Sequence, residues 1–202
     1  MLIDEAEIGF VHIPRTGGTS IEVSLQNKYK NDVRQINHQP QDKAIEVVYT
    51  VHGGKKELHK KHATYHELIE FSPDYKYYVL VRHPLRRIES LYRLLVHLKL
   101  VNTEFDKWIY RLIYGYMYGE PNAGLDKKPY ALELRYGPLR QVEYIGKAEV
   151  HKLEEQTIWE ALSISPVKVF DLPNGLRIVW NKRSIKLVEK YYEIDYEKLN
   201  YE

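Results

Sequence analysis

The chain of 202 residues contains no cysteine, which excludes disulfide bonds and thiolate metal sites. It also lacks a secretory signal pattern and any apolar run long enough to span a membrane. Its net charge of +2 is too small to indicate a nucleic-acid-binding protein. We therefore expect a cytoplasmic protein that has no membrane span and no nucleic-acid partner.

Two motifs of nucleotide and metal chemistry are also missing. No Gly-Lys-Ser or Gly-Lys-Thr occurs, so the Walker A pattern is absent, which counts against an ordinary nucleotide triphosphatase. The HExxH zinc motif is absent as well, although His52, His59, His62 and His66 lie close together in the sequence. No acidic residue is spaced among these histidines as a metal ligand would be, and we expect no metal site.

What the chain does contain is typical of a globular α/β domain. Hydrophobic residues make up 44% and charged residues 29%, and the length suits one buried domain over residues 1–202. Strand-forming runs alternate with helical patterns, which predicts an α/β fold with a mainly parallel sheet. The predicted strands are 8–13, 45–51, 77–81 and 142–146, and the predicted helices include 102–118, 152–162 and 182–192.

Residues 13–20, in one-letter code IPRTGGTS, follow the first predicted strand and open a helical pattern. Gly17 and Gly18 have no Cβ, so the backbone there can approach a ligand and adopt positive φ. The first N–H groups of a helix have no intrahelical acceptor, and the helix dipole adds positive potential at the same place. With the charge of Arg15, this pattern predicts an anion-binding turn; an ordinary strand-to-helix connection is the alternative.

A second candidate site begins at Arg82, which directly follows the strand predicted for 77–81. Open α/β sheets place ligand groups at the carboxyl ends of their strands. Pro84 suits the first turn of a helix, and that helix would carry Ser90. An arginine fork and a hydroxyl are suited to bind a phosphate, which makes these residues a candidate phosphate site. Taken alone, however, the stretch is more typical of a basic, solvated helix face.

Both stretches resemble motifs of the sulfotransferase family. Residues 14–20 resemble its 5′-phosphosulfate loop, often written P-K-T-G-G-T-S, with Arg15 in place of the usual lysine. Residues 82–92 resemble its 3′-phosphate motif, with the pattern R-x-P-x-x-R-x-x-S-x-Y. The matching residues of this second motif are Arg82, Pro84, Arg87, Ser90 and Tyr92.

The resemblance implies a P-loop-like three-layer α/β/α fold and transfer of a sulfuryl group. The implied donor is 3′-phosphoadenosine 5′-phosphosulfate (PAPS), and the nucleotide product is adenosine 3′,5′-bisphosphate (PAP). The acceptor would be a hydroxyl or amine, most simply of a carbohydrate. By analogy, Arg82 and Ser90 would bind the 3′-phosphate with Arg87 in support, and Arg15 would also assist catalysis. The residues implied for the 5′ side are Arg15, Thr16, Gly17, Gly18, Thr19 and Ser20.

A histidine is the side chain best matched to accept the acceptor's proton near neutral pH. His52 and His62 follow the strand predicted for 45–51, and His62-Ala63-Thr64 resembles the segment of the family that carries the base. We therefore predict His62 as the base, with His52 as the second choice. His12 lies in the first predicted strand, and we expect it to pack beside the turn.

Two other functional classes remain as alternatives. One is a P-loop kinase-like enzyme, which the missing Walker lysine pattern disfavours. The other is a non-catalytic module that binds the nucleotide, or a sulfated glycan through the four lysines of residues 55–61. A solvated face or loop is the structural alternative for these lysines.

Overall fold

The computed structural model describes residues 1–29, 46–50, 56–60, 62–99, 101–118, 140–169, 176 and 178–202, with the backbone alone at 46–50, 56–60, 115, 116 and 118. The strands are β1 Leu2–Ile3, β2 Ile8–Val11, β3 Glu46–Thr50, β4 Lys56–Lys60, β5 Lys76–Val81 and β6 Glu149–Lys152. The helices are α1 Gly18–Lys28, α2 Tyr65–Ile69, α3 Pro84–His97, α4 Phe105–Tyr118, α5 Val142–Ile145, α6 Ile158–Ala161, α7 Lys182–Tyr191 and α8 Glu193–Leu199.

The main sheet has four strands in the order β1, β2, β5, β6. Strand β5 lies parallel to β2 on one side and to β6 on the other, whereas β1 is antiparallel to β2. Every residue of β5 after Lys76 is buried, as expected for a central parallel strand made of an apolar run. The predicted mixed α/β fold with a mainly parallel sheet is confirmed at this level.

A separate antiparallel pair is formed by β3 and β4. The strand predicted for 45–51 is confirmed by β3. The lysine-rich stretch 55–61, in which we weighed a solvated face or loop, instead contains strand β4. Sequence reasoning missed β4 because lysine and glutamate are poor strand formers, and pairing with β3 overrides that preference.

The described chain divides into two compact units, which we treat one at a time. The first unit comprises Met1–Val81 with Glu143–Phe170, and the second comprises Arg82–Val142 with Asp171–Glu202. The single domain over residues 1–202 stays a prediction. Within the described helices, none has both the length and the apolar character needed to cross a bilayer.

The first unit packs α1 and the segment after β6 against the main sheet. Ile21 and Leu25 on one face of α1 are fully buried in a cluster with Phe10 and Leu80 of the sheet. The same helix is also fastened by the Ser24 hydroxyl, which donates to the Ser165 carbonyl at 2.7 Å. These contacts fix the direction of α1, and so they fix the turn that leads into it.

The second unit is built on an aromatic core between α3, α4 and α7. Ile88, Leu91 and Leu95 form the apolar face that the three- and four-residue spacing predicts for α3, and all three are buried. Trp108 of α4 and Val188 of α7 are fully buried in the same cluster. The N-terminus of α3, where Arg82 and Pro84 lie, is therefore attached to a well-packed helix.

Two sequence predictions in the segment 142–162 are wrong. Residues 142–146 do not form a strand but contain helix α5, because the Asp195 carboxylate accepts the N–H groups of Gln141 and Val142 and so caps a helix start. The strand comes later, as β6, and the helix predicted for 152–162 is limited to α6. Gln156, with a φ of 58°, interrupts helical geometry between β6 and α6.

Candidate functional site

The turn between β2 and α1 is closed by its own side chains. Thr16 is fully buried, and its hydroxyl donates to the Ile13 carbonyl at 2.9 Å. This hydroxyl therefore shapes the turn, and the contact of Thr16 with a donor stays a prediction. The strand, turn and helix expected for 8–25 are confirmed by β2 and α1.

Glycine is required at both positions of the pair for different reasons. Gly17 has a φ of 92°, in the left-handed region where a Cβ is costly. At Gly18 a Cβ would lie 2.6 Å from Nε2 of His12, too close for a side chain unless that ring moves. The group that lies close to the backbone at Gly18 is thus the imidazole of His12, a part of the protein itself.

Arg15 has a φ of 67°, which is unusual for a residue with a side chain. A left-handed conformation costs about 1–2 kcal/mol for such a residue. Strain of this kind persists where the surrounding structure imposes it, and it is frequent in ligand-binding turns. The partly buried Arg15 side chain is therefore held in a direction that an unstrained turn would not give it.

The N-terminus of α1 differs from those of α2 and α7. Thr64 with Glu67 and Asn181 with Ser184 form capping boxes, which satisfy the first N–H groups of α2 and α7. The N-cap of helix α1 is Gly17, which has no side chain to accept a hydrogen bond, and the first turn of the helix has no acidic residue. Its positive dipole end is thus not neutralised by an acid of its own first turn, which suits an anion.

A buried pair of a histidine and a glutamate lies directly beside this turn. Nδ1 of His12 is 2.8 Å from Oε1 of Glu22, and both side chains are almost fully buried. The expectation that His12 packs beside the turn is confirmed by its contact with Gly18. Sequence reasoning missed Glu22. The one indication of its role is that this carboxylate lies next to Ile21, on the buried side of α1.

His62, which is 50 positions from His12 in the chain, also contacts this turn. Its Nδ1 donates to the backbone carbonyl of His12 at 2.9 Å, and the two imidazole rings meet edge to face at 4.6 Å. Because a carbonyl can only accept, the hydrogen of the neutral His62 ring is on Nδ1 and Nε2 is the basic nitrogen. His52, the second predicted base, lies outside the described residues.

The second group of predicted residues surrounds the start of α3. The backbone of Arg82 is held at both polar groups: its N–H donates to Oε1 of Gln141 at 2.9 Å, and its carbonyl accepts from Nε2 of Gln141 at 2.8 Å. Arg82 and Ser90 are partly buried, whereas Arg87 is only 3% exposed. Arg87 therefore lies inside the unit, and the supporting role predicted for it stays a prediction.

Asp195 is the buried charge that faces these residues. Burial raises the pKa of its carboxyl above the ordinary value, while hydrogen bonds from Gln141 and Val142 and the positive charge of Arg87 oppose the rise. His83, the residue after Arg82, caps α3, because its Nδ1 accepts the N–H of Leu85 at 3.3 Å. Sequence reasoning did not identify Gln141, and it gave no role to Asp195.

A cavity of about 280 Å³ in the first unit contains none of the predicted residues. It lies at the amino end of β5 and is lined by Tyr65, Tyr75, Lys76, Tyr77, Lys147 and Glu149.

Across the described part of the chain, no group of three or more histidine, aspartate or glutamate side chains could hold a metal ion.

Comparison with protein-family models, with curated proteins and with solved structures found no match to this chain.

Proposed function

We propose that this chain is a PAPS-dependent sulfotransferase with a P-loop-like three-layer fold, and that it transfers a sulfuryl group to a hydroxyl or amine of a carbohydrate acceptor. The observation that carries the proposal is the turn at residues 13–20. It joins a parallel strand to a helix that starts at a left-handed glycine with neither a side-chain cap nor an acid in its first turn. Such a start presents N–H groups and a positive dipole to an anion.

Each unit carries residues whose chemistry suits one charged end of the donor. The turn at 14–20, with the α1 amides and the Arg15 side chain, would hold the 5′-phosphosulfate. Arg82 and Ser90 would hold the 3′-phosphate, and Arg87 would support them. Arginines and amides can neutralise these groups by charge-assisted hydrogen bonds.

The donor supplies the sulfuryl group, and the protein residues supply charge stabilisation and a proton acceptor. As the acceptor oxygen or nitrogen bonds to sulfur, the bond from sulfur to the bridging phosphate oxygen breaks, and negative charge develops on that oxygen. Arg15 and the first amides of α1 would stabilise this charge, as in phosphoryl transfer. Nε2 of His62 would accept the proton that the acceptor loses.

His62 fits the role of base better than His12 on grounds of access. His12 is 3% exposed and its ring fills the space over Gly18, whereas His62 is partly buried at the edge of the turn. A general base must come within hydrogen-bond reach of the proton that it removes. The contact between His12 and Glu22 instead stabilises the turn, and His62 is bonded to this turn through the His12 carbonyl.

Binding of nucleotides to the intact chain tests the proposal. PAP at equal concentration should raise Tm more than AMP or ATP, because a ligand that binds only the folded state stabilises it by mass action, by about 2.7 kcal/mol at one hundred times Kd. Calorimetric titration should give the same order of affinities. Equal shifts with PAP and AMP would contradict the 3′-phosphate assignment, and a larger shift with ATP would favour the kinase-like alternative.

Turnover is the second half of the test. Sulfur-labelled PAPS incubated with a panel of glycan acceptors should give labelled product and PAP in equal amounts. Donor binding without transfer to any acceptor of a broad panel would favour the non-catalytic module.

A further inference from the structure

The side-chain amide of Gln141 is used in an unusual way, since it pairs with the backbone of one residue as a neighbouring strand would. It bonds to both the N–H and the carbonyl of Arg82, across 59 positions of the chain. Gln141 is fully buried, so no water competes for these bonds. Fixing both backbone groups of Arg82 also fixes the direction in which its side chain leaves the backbone.

Gln141 is itself held by Asp195. The Asp195 carboxylate accepts the Gln141 backbone N–H at 2.8 Å and lies 3.4 Å from the Gln141 amide nitrogen. Its other oxygen accepts the N–H of Val142 at 3.0 Å. Asp195 is fully buried at the start of α8, so the position of Gln141 depends on this C-terminal helix.

This hydrogen-bond network contains more polar groups than are needed only to attach α8 to the start of α3. A buried carboxylate is costly unless it is hydrogen-bonded and near a positive charge, and an apolar contact would join α8 to the start of α3 at less cost. What the polar network does, and an apolar contact could not do, is to orient the two peptide groups on either side of one residue. That residue is Arg82.

We infer that Gln141 and Asp195 are positioning residues that hold the Arg82 backbone in the orientation needed to bind the 3′-phosphate of the nucleotide. The inference rests on the proposed function and adds to it the residues that make this arginine a preorganised clamp. Neither residue contacts the nucleotide in the proposed complex. Preorganisation of the clamp lowers the cost of ordering it on binding.

The test compares affinity for PAP with affinity for AMP in the intact chain, by calorimetry. The variant Gln141→Met keeps the length of the side chain and removes both hydrogen-bonding groups. Asp195→Asn keeps the volume and removes one acceptor, so it provides a milder variant if Gln141→Met does not fold. Ser184→Ala is the matched control, because Ser184 is a buried hydrogen-bonded residue of the same unit that caps α7.

We expect the wild type to prefer PAP over AMP by about tenfold or more, as a charge-assisted contact implies. Gln141→Met should bring the two affinities together while affinity for AMP changes little, and Asp195→Asn should give an intermediate ratio. Ser184→Ala should lower Tm and leave the ratio unchanged. A merely structural role would lower Tm without changing the ratio.

The outcomes separate the inference from the proposed function. A wild type that prefers PAP, together with a Gln141→Met or Asp195→Asn variant that keeps the full preference, would overturn the positioning role alone. A wild type with equal affinity for PAP and AMP would overturn the 3′-phosphate assignment in the proposed function, and this inference with it.

Discussion

The two candidate binding segments are held in place by different means. In the turn at 12–20, the restraints are mostly local: Thr16 bonds to Ile13, and His12 pairs with Glu22. At the start of α3, the restraints on Arg82 come from Gln141, 59 positions away, and through it from Asp195, a further 54 positions along the chain. One segment is shaped by its own sequence, and the other by remote side chains.

This difference predicts opposite responses to substitution. The turn depends on space that only glycine leaves open, so adding an atom should damage it. The Arg82 segment is held through its backbone, so removing the Arg82 side chain should leave its conformation intact. Three variants test this contrast, each followed by a control variant, and the variant with the largest expected effect comes first.

Gly18→Ala should be the most damaging. Its Cβ would meet the imidazole of His12, and moving that ring would separate it from Glu22 inside the core. We expect a loss of about 3 kcal/mol or more in the free energy of unfolding, from overpacking and from a buried carboxylate that loses its partner. Denaturant unfolding measured at neutral pH checks this value.

The double variant His12→Ala with Gly18→Ala provides the control. If the clash with His12 is the cause, removal of the ring makes the second substitution nearly free, and the two costs will not add. Additive costs, or a Gly18→Ala variant as stable as the wild type, would contradict the contact described for this turn.

His62→Ala should lower kcat by roughly a hundredfold or more and leave the affinity for PAP nearly unchanged, because a general base acts on the acceptor and not on the nucleotide. His62 contacts the turn from a distant part of the chain, 50 positions from His12. Transfer of labelled sulfate to an active glycan acceptor measures the effect.

His62→Asn separates a base from a structural contact. The asparagine amide can still donate to the His12 carbonyl, but it has no basic nitrogen. We expect His62→Asn to be as inactive as His62→Ala and to recover its Tm. Recovery of turnover in His62→Asn would make the hydrogen bond the role of this residue, and would move the base assignment to His52 or to a carboxylate such as Glu67.

Arg82→Ala should have the smallest effect on stability and a clear effect on binding. Because the bonds to Gln141 belong to the Arg82 backbone, the fold should survive. Loss of a charged clamp should weaken PAP binding by on the order of 2 kcal/mol, about thirtyfold in Kd. Calorimetric titration and a thermal melt of the same sample give both numbers.

Arg86→Ala is the matched control for the lost charge. The Arg86 side chain is 66% exposed and pairs with Glu89 at 3.1 Å on the surface of α3, so its removal should change stability by no more than about 0.5 kcal/mol. A large fall in Tm for Arg82→Ala with unchanged affinity for PAP would make Arg82 a structural residue instead.

Sequence reasoning succeeded where local signals agree with the fold. Pro84 and the repeat of Ile88 and Leu91 predicted α3, and the apolar run before Arg82 predicted β5. It failed for residues 142–146, whose alternation of apolar residues is equally compatible with a short helix. There the choice was made by the Asp195 carboxylate, which no local pattern around residue 142 could have indicated.

The sequence by itself determined the strand, glycine turn and helix at 8–28, because strand formers, a φ that glycine tolerates and the helical repeat all lie within one short stretch. The anion-binding role of these residues stays a prediction from the sequence. Only the tertiary structure decided that His12 fills the space over Gly18, that His62 donates to the His12 carbonyl, and that Gln141 orients Arg82. Those contacts join positions far apart in the chain or on different elements, so they exist only once packing has brought them together.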